Sequence, residues 1–466
     1  MALTHRLLLT LLAAGLGIAS FPPLHWHPLA LVVPVVFLFS LKGARPDQAL
    51  VLGGAFGLAL YGGTLNWFAE IFGLMAVLLF FILALFPTIF AVVMGTLGKR
   101  KLSPWTFASL VAVLWTGIEF YRCEWFTLRF PWITTGTALP PGYLTPILGV
   151  YGVTFAATLG AGLVVFERST RIAGVAVLTA LAATCYLPRK APTTTDLRIA
   201  AVQGETLPFR AYLQLSDEVE GGADAFVWPE YALPYDLRKH PAQLEQVREL
   251  LVRHGATFLV VGSRTDHDDG SWSNTSLIAG RDGILGTHDK NRPVHFFDEG
   301  VPGTETPAWA TPLGRIATPI CFDNDYSRIP LEAVRNGAEL FLVPSMDAEH
   351  WTARQHLQHA ELVRHRAAET GRWYVVASSS GLTQVVDPTG ARIDSLPLFD
   401  PGVMMTEVAT TERLTIFSRG GHLFGPATAI AAAVILVGTL FLGRADRKKS
   451  PGSDSTEATK ASETHA

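Results

Sequence analysis

The chain is poor in cysteine and in charge. Three cysteines, Cys123, Cys185 and Cys321, stand in 466 residues without paired spacing. No disulfide framework and no zinc pattern can be built from them. Charged residues make up 17% of the chain and the formal net charge is -3. A balance so near zero gives no electrostatic footing for nucleic acid, and so little charge points to a chain partly immersed in lipid. Metal-ligand spacing is missing as well: His356 and His359 stand at i and i+3 with Glu361 nearby, not as His-Glu-x-x-His. They are expected to pack in a helix, and no metal or other cofactor is expected. The stretch from Phe21 to His27 offers no small-residue cleavage site. The apolar run before it is therefore expected to be retained, not removed as a secretory signal.

What the chain has in abundance is apolar sequence, 49% of residues with a mean hydropathy of +0.29. Runs near Leu7–Ser20, His27–Leu41, Ala49–Phe68, Phe72–Met94, Trp105–Tyr121, Pro146–Phe166, Ile172–Leu187 and Phe424–Leu442 predict an α-helical transmembrane bundle of about eight spans. The first two are short for a hydrocarbon core of about 30 Å, which asks for tilt or local thinning. Arg6, Lys42 with Arg45, the Lys99 to Lys101 cluster, Arg168 with Arg171, and Arg444 to Lys449 all fall on one side of this arrangement. The positive-inside rule makes that side cytoplasmic and puts Arg189 to Leu423 on the other. Domains follow as a bundle of seven spans over 1–190, a catalytic part over 191–423, a last helix over 424–443 and a disordered cytoplasmic tail over 444–466. The long outer loop from Arg122 to Thr145 carries Trp125, Phe126, Phe130 and Trp132. Aromatics at this level ordinarily anchor a helix end at the interface, with guidance of lipid towards a site as the alternative. Glu119 and Asn66 lie near the ends of spans, where headgroup level accounts for them without a role.

The polar part begins with a linker at Pro192 to Thr195 and then alternates strands with helices. Strands are predicted at Leu197–Gln203, Ala225–Trp228, Thr257–Gly262, Thr275–Ala279, Arg315–Ile320, Glu339–Val343, Trp373–Ser378 and Thr383–Val386, and helices at His240–His254, Ile329–Asn336 and Thr352–Gly371. Periodicity alone makes this α/β. The run from Gly314 to Ile320 ends on Cys321 and breaks at once into polar residues. A thiol at a strand end is held by the strand while it faces the cleft made by the loops. Taken singly, such a cysteine is more often a small buried hydrophobe. Two other stretches change the balance: Ala225 to Trp228 delivers Glu230 just after Pro229, and Gly286 to Pro302 delivers Lys290 into a loop rich in Pro and Gly. A carboxylate can accept the thiol proton, and an ammonium favours thiolate and steadies an oxyanion.

These three stretches, in this order, resemble the Glu-Lys-Cys triad of the nitrilase (carbon-nitrogen hydrolase) superfamily. Together with Gln355 to Ala360, Arg364 to Arg372 and Ser379 to Gly390, and with the apolar flanks, the chain resembles the membrane branch of that superfamily, the apolipoprotein N-acyltransferases. The likeness in the polar part covers about Leu197 to Val408. It implies a nitrilase-like α-β-β-α sandwich beside the bundle, with Glu230 as general base, Lys290 as oxyanion stabiliser and Cys321 as nucleophile. It further implies a bacterial inner-membrane enzyme, active as a monomer, with its catalytic domain on the periplasmic side. That enzyme would take a fatty acyl group from a phospholipid such as phosphatidylethanolamine and pass it to the α-amino group of an apolipoprotein's diacylglyceryl-cysteine. In the family a glutamate follows the lysine at the eighth position; here His295-Phe-Phe-Asp298 stands there. Asp298 is thus the expected carboxylate orienting Lys290, with Glu299 its alternative if the loop shifts by one residue. Cys321-Phe-Asp323 replaces the family's Cys-Tyr-Glu and is nearer the soluble amidases. A membrane-anchored amidase, or a lipoprotein-binding module with a vestigial triad, are the competing readings. Leu233 to Leu237, Phe296-Phe297 and Met346 to Trp351 are the candidate lids over a thioester.

Overall fold

Two periodicities divide the chain, apolar helices before residue 190 and after 423, and alternating strands between them. The computed structural model describes residues 1–98, 100–190 and 197–448. The expected linker, Lys99 of the basic cluster and the tail beyond residue 448 lie outside the described residues. The helices are α1 (Leu3–Ser20), α2 (Val33–Leu41), α3 (Pro46–Thr64), α4 (Phe68–Phe72), α5 (Met75–Leu97), α6 (Pro104–Phe120), α7 (Thr145–Phe166), α8 (Arg171–Tyr186), α9 (Phe209–Asp217), α10 (Pro241–His254), α11 (Arg328–Arg335), α12 (Ala353–Thr370), α13 (Ile416–Arg419) and α14 (Phe424–Lys448). Among the described residues, five helical stretches are long and apolar enough to cross a bilayer: Leu3–Ser20, Met75–Leu97, Thr145–Phe166, Arg168–Tyr186 and Gly421–Phe441. The expected second span is split into a 3-10 turn, His27–Leu31, and α2, because Pro28 and Pro34 each fit a helix start better than its interior. The expected third and fourth spans leave room for α4, which closes on Gly73 at a φ of 55°. The tail expected to be disordered from Arg444 is helical through Lys448.

Small residues pack the bundle. Gly53 and Gly57, four apart on α3, lie so close to Ala84, Pro87 and Thr88 of α5 that a Cβ at either would collide with main chain. In lipid there is no hydrophobic gain from helix association, so such close backbone contact supplies the attraction.

The polar part forms two six-stranded mixed sheets. Its strands are β1 (Leu197–Gln203), β2 (Ala225–Val227), β3 (Phe258–Asp266), β4 (Trp272–Gly280), β5 (Gly283–Asp289), β6 (Trp309–Thr311), β7 (Gly314–Ala317), β8 (Leu340–Ser345), β9 (Trp373–Ser378), β10 (Gln384–Val386), β11 (Arg392–Ser395) and β12 (Gly402–Val408). The sheet orders are β12-β1-β2-β3-β4-β5 and β11-β10-β9-β8-β7-β6, and β12 runs antiparallel to β1 with Leu197 opposite Val408. Alternation decides the layers. Ile199, Ala201, Phe258 and Val260 meet Leu340, Leu342, Val375 and Ala377 between the sheets. Their neighbours Ala200, Val202, Leu259 and Val261 face Val247 and Leu250 of α10, while Phe341, Val343 and Tyr374 face α11 and α12. The result is an α-β-β-α sandwich. Four strands, β5, β6, β11 and β12, were not among those expected; β6 and β11 are short outer strands, and β12 is defined by its distant partner β1.

Helix α12 joins the two halves. Its inner face packs the second sheet, and its outer face reaches the bundle. Trp67 Nε1 donates to Gln358 Oε1 (2.9 Å), Gln358 Nε2 donates to the Thr64 carbonyl (2.9 Å), and Glu369 Oε1 accepts from the Val150 amide (2.9 Å).

Candidate active site

Glu230 leaves the end of β2 through Trp228 and Pro229. The turn is fixed on β3: the Trp228 amide donates to the Val260 carbonyl (2.8 Å), and the Gly262 amide donates to that of Pro229 (3.1 Å). The approach is so close that a Cβ on Gly262 would overlap the main chain of residues 229–231, so only glycine fits. Lys290 follows the last residue of β5, a strand end where a loop was expected, and its amide donates to the Asn274 carbonyl (2.8 Å). Cys321 lies beyond β7 at the start of a 3-10 turn, Cys321–Asp325, with φ at +46°. A non-glycine residue in that region is held there by its surroundings. Asp323 supplies the hold: it accepts from the Ile320 amide (3.1 Å), the Arg292 amide (2.8 Å) and pairs with His288 Nε2 at 2.9 Å.

The fold thus brings together the three residues singled out in the sequence. Lys290 Nζ donates to Glu230 Oε1 at 2.9 Å and to Glu299 Oε1 at 2.7 Å, and Asn274 Nδ2 donates to Glu230 Oε1 at 2.7 Å. Glu230 Oε2 accepts no hydrogen bond from the described residues. Cys321 Sγ donates to the Met346 carbonyl at 3.4 Å. All three side chains are buried. Burial pushes the Glu230 carboxyl above its ordinary value, with Lys290 pulling the other way. Burial also opposes the Lys290 ammonium, but Glu230 and Glu299 outweigh it and hold its pKa well above the lysine range. Burial and then Glu230 push the Cys321 thiol well up, against Lys290. The resting sulfur is therefore a thiol beside a fixed positive charge.

The expected placement of Asp298 is wrong. Glu299 is the second carboxylate on Lys290, and its other oxygen accepts from the Val294 amide (2.5 Å). Asp298 is exposed and accepts instead from the Gly300 amide (3.2 Å). The loop bends at Phe296, φ 73°, with the Phe297 amide bonded to the Val294 carbonyl. That bend turns the side chain at 299 inward and the one at 298 out.

The triad opens into a cavity of about 470 Å³, within the usual small-molecule range of about 300–1,000 Å³. Its far wall is bundle: Phe68 and Phe72 of α4, Leu79 and Leu83 of α5. Phe296 and Phe297 pack at its mouth against Phe72, at 5.8 and 6.0 Å between ring centres, and Phe297 meets Trp351 at 5.9 Å. All three lid candidates reach this cavity: the Phe296-Phe297 loop and the Met346 to Trp351 segment line it, and the Leu233 to Leu237 stretch contributes Pro234 while Leu233 and Leu237 are core residues. Two aromatics expected as interface anchors also turn inward. Phe130 and Trp132 line the cavity, and Trp132 Nε1 donates to Asp325 Oδ2 at 2.5 Å. Buried Arg122 holds their loop through the carbonyls of Phe130, Trp132 and Ile133. His356 Nε2 donates to the Ala348 carbonyl at 3.0 Å, and His359 sits between two carboxylates. Sequence reading passed over Asn274 and Tyr231. The polar run Ser273-Asn-Thr-Ser276 in the middle of a strand was the available signal, since side chains that cannot fill an apolar core need a partner.

A cysteine, a carboxylate and a lysine gathered at the strand ends of an α-β-β-α sandwich fit a carbon-nitrogen hydrolase domain, and residues 198–414 match that family, described as Carbon-nitrogen hydrolase. Residues 13–163 match a second family, described as Apolipoprotein N-acyltransferase N-terminal domain. With both halves accounted for, the chain belongs to the apolipoprotein N-acyltransferase family. It is 28% identical over 467 residues to the apolipoprotein N-acyltransferase of Pseudomonas syringae, covering 88% of this chain and 92% of the relative. To that of Azotobacter vinelandii it is 27% identical over 509 residues, covering 96% of each. Among solved structures, an amidase from Nesterenkonia sp. is 21% identical, with a TM-score of 0.39, and is matched over 47% of this chain and 93% of its own.

Proposed function

We propose that the protein is an N-acyltransferase that carries a fatty acyl group from a phospholipid, through a thioester on Cys321, to the α-amino group of a lipoprotein's diacylglyceryl-cysteine. One observation carries this reading: the buried Glu230, Lys290 and Cys321 share a single cavity whose opposite wall is made of apolar bundle helices. A donor chain lying in the bilayer can enter along that wall, whereas a water-soluble amide gains nothing from it.

Sγ attacks the ester carbonyl of the donor while Glu230, through the oxygen that accepts no hydrogen bond among the described residues, takes the thiol proton. Negative charge gathers on the carbonyl oxygen, where Lys290 Nζ and the Phe322 amide stabilise it. Collapse breaks the carbon-oxygen bond, and the departing lysophospholipid alkoxide receives the proton from Glu230. In the second half the acceptor amine attacks the thioester, Glu230 removes its proton, and Cys321 leaves and is reprotonated. Glu299 keeps Lys290 in place and charged throughout. The aromatic mouth excludes water between the halves. The kinetics are ping-pong.

In this reading the chain makes eight spans, seven before the catalytic part and α14 after it, and the basic loops support a sandwich on the periplasmic side with α14 returning to the cytoplasm. One chain holds all three residues of the triad, which supports a monomer as the working unit. Incubation with phospholipid labelled in its acyl chain tests the reading. A hydroxylamine-sensitive label on Cys321, lost in Cys321→Ala, is expected. Release of ammonia or amine from an amide without consumption of phospholipid supports an amidase instead, and absence of any adduct supports a binding module.

A further inference from the structure

His359, on the second turn of α12, is buried between two carboxylates. Its Nδ1 lies 2.8 Å from Asp347 Oδ1 and its Nε2 lies 3.2 Å from Asp325 Oδ1. A neutral imidazole carries one N–H, so carboxylate oxygens at both nitrogens select the doubly protonated ring. The Trp132 indole stacks on it, 5.6 Å between ring centres and 11° from parallel, and donates its own N–H to Asp325 Oδ2. A flat cation against an indole face is attractive in its own right. Asp347 also accepts from Gln355 Nε2 (2.8 Å). Burial disfavours the charged ring, but Asp347 and Asp325 outweigh it and hold the His359 pKa well above the histidine range.

Both carboxylates belong to segments that touch the nucleophile. Asp325 ends the turn that begins at Cys321, and Asp347 follows Met346, whose carbonyl accepts from Cys321 Sγ. Asp347 is also one of the negative charges that raise the thiol pKa, after Glu230. The titratable groups facing this ring are Asp325 from the nucleophile turn and Asp347 from the segment after β8, with His356 on its own helix and Lys290, Glu230 and Cys321 lining the same cavity.

The geometry points to His359 as a positioning residue, an imidazolium clamp that ties the nucleophile turn to the Met346–Asp347 segment and shields the Cys321 sulfur from the charge of Asp347. This rests on Cys321 being the nucleophile. Without the clamp the two segments lose their common cation, and an unbalanced carboxylate stands beside a sulfur that must become negative.

The test is alkylation of Cys321 by iodoacetamide in the membrane-embedded full chain as a function of pH, alongside acylation by labelled phospholipid. His359→Gln keeps a hydrogen-bond donor and removes the charge. It is expected to move the alkylation midpoint up and to slow acylation about tenfold, the change that loss of one close charge produces at a partly buried site. Asp347→Asn is expected to move the midpoint down, and the double variant to return close to the parent. Midpoints that stay put in both single variants overturn the clamp, even if acylation slows, because a purely structural role does not move a thiol's titration. Should the glutamine chain fail to accumulate, Asp347→Asn alone decides: an unmoved midpoint refutes the shielding. Failure of the acyltransferase reading is distinguishable, since alkylation needs no acyl donor.

Discussion

Glu299→Gln separates the two carboxylates that the sequence left as alternatives. Glu299 uses both oxygens as acceptors, Oε1 for Lys290 Nζ at 2.7 Å and Oε2 for the Val294 amide at 2.5 Å, with the Tyr231 hydroxyl 3.5 Å from Oε1. A glutamine has one acceptor oxygen and one NH2. Whichever way the amide turns, an N–H group then faces either the lysine or the Val294 amide, donor against donor. Loss of a hydrogen bond to a charged group costs about 1.5–3 kcal/mol, and about 1.4 kcal/mol is tenfold in rate, so acylation should slow by roughly ten- to a hundredfold. Because the lysine stabilises charge that develops during attack, the loss should fall on the rate at saturating phospholipid more than on KM. Asp298→Asn removes an exposed charge one residue away whose hydrogen bond among the described residues is to the Gly300 amide, and should change the rate less than about twofold, as exposed substitutions ordinarily do. Single-turnover acylation of Cys321 with labelled phospholipid measures both. A slow Asp298→Asn beside an unaffected Glu299→Gln would refute the assignment.

Gly262→Ala removes no functional group, yet its methyl must displace the main chain at Pro229 to Tyr231. A shift of about 1 Å in Glu230 should cost about a hundredfold in acylation with the chain still folded, and near-normal acylation would show that the turn tolerates the methyl. Glu230 must be ionised to accept a proton, so acylation should fall as pH drops through its pKa, which burial sets above the reference value of 4.5. A pH–rate profile with its acid limb at or below that value contradicts the buried base. Leu79→Trp fills the cavity from the bundle side. Transfer from a long-chain donor should fall more than about tenfold while acylation by a short-chain ester stays within about twofold, and equal effects on both would place the acyl chain elsewhere.

Glu230 and Cys321 were legible in the sequence because each follows a short apolar strand, whereas Lys290 was legible only from its order between them, since the strand before it, β5, is largely polar and half-buried. The helices were legible because lipid demands long apolar runs, although prolines at 28 and 34 and the short helix α4 moved their limits. The partner of Lys290 was not legible. Asp298 and Glu299 are equivalent as letters, and only the bend at Phe296 decides which faces inward. The inward turn of Trp132 was hidden for a related reason. An aromatic in an outer loop carries the same signal whether it rests in the interface or, as here, finds a buried acceptor in Asp325 nearly two hundred residues away. Strands β6 and β11 escaped because they are three and four residues long. Short outer strands leave little periodicity to read.

Strands β1 and β12 open and close the sandwich, yet they lie side by side, Leu197 against Val408. Both attachment points of this globular unit therefore sit at one edge of one sheet, and it hangs from the bundle as a single closed lobe. The arrangement lets α14 come back beside α6, where Gly117 meets the Thr428 carbonyl, so that the scaffold closes behind the inserted catalyst.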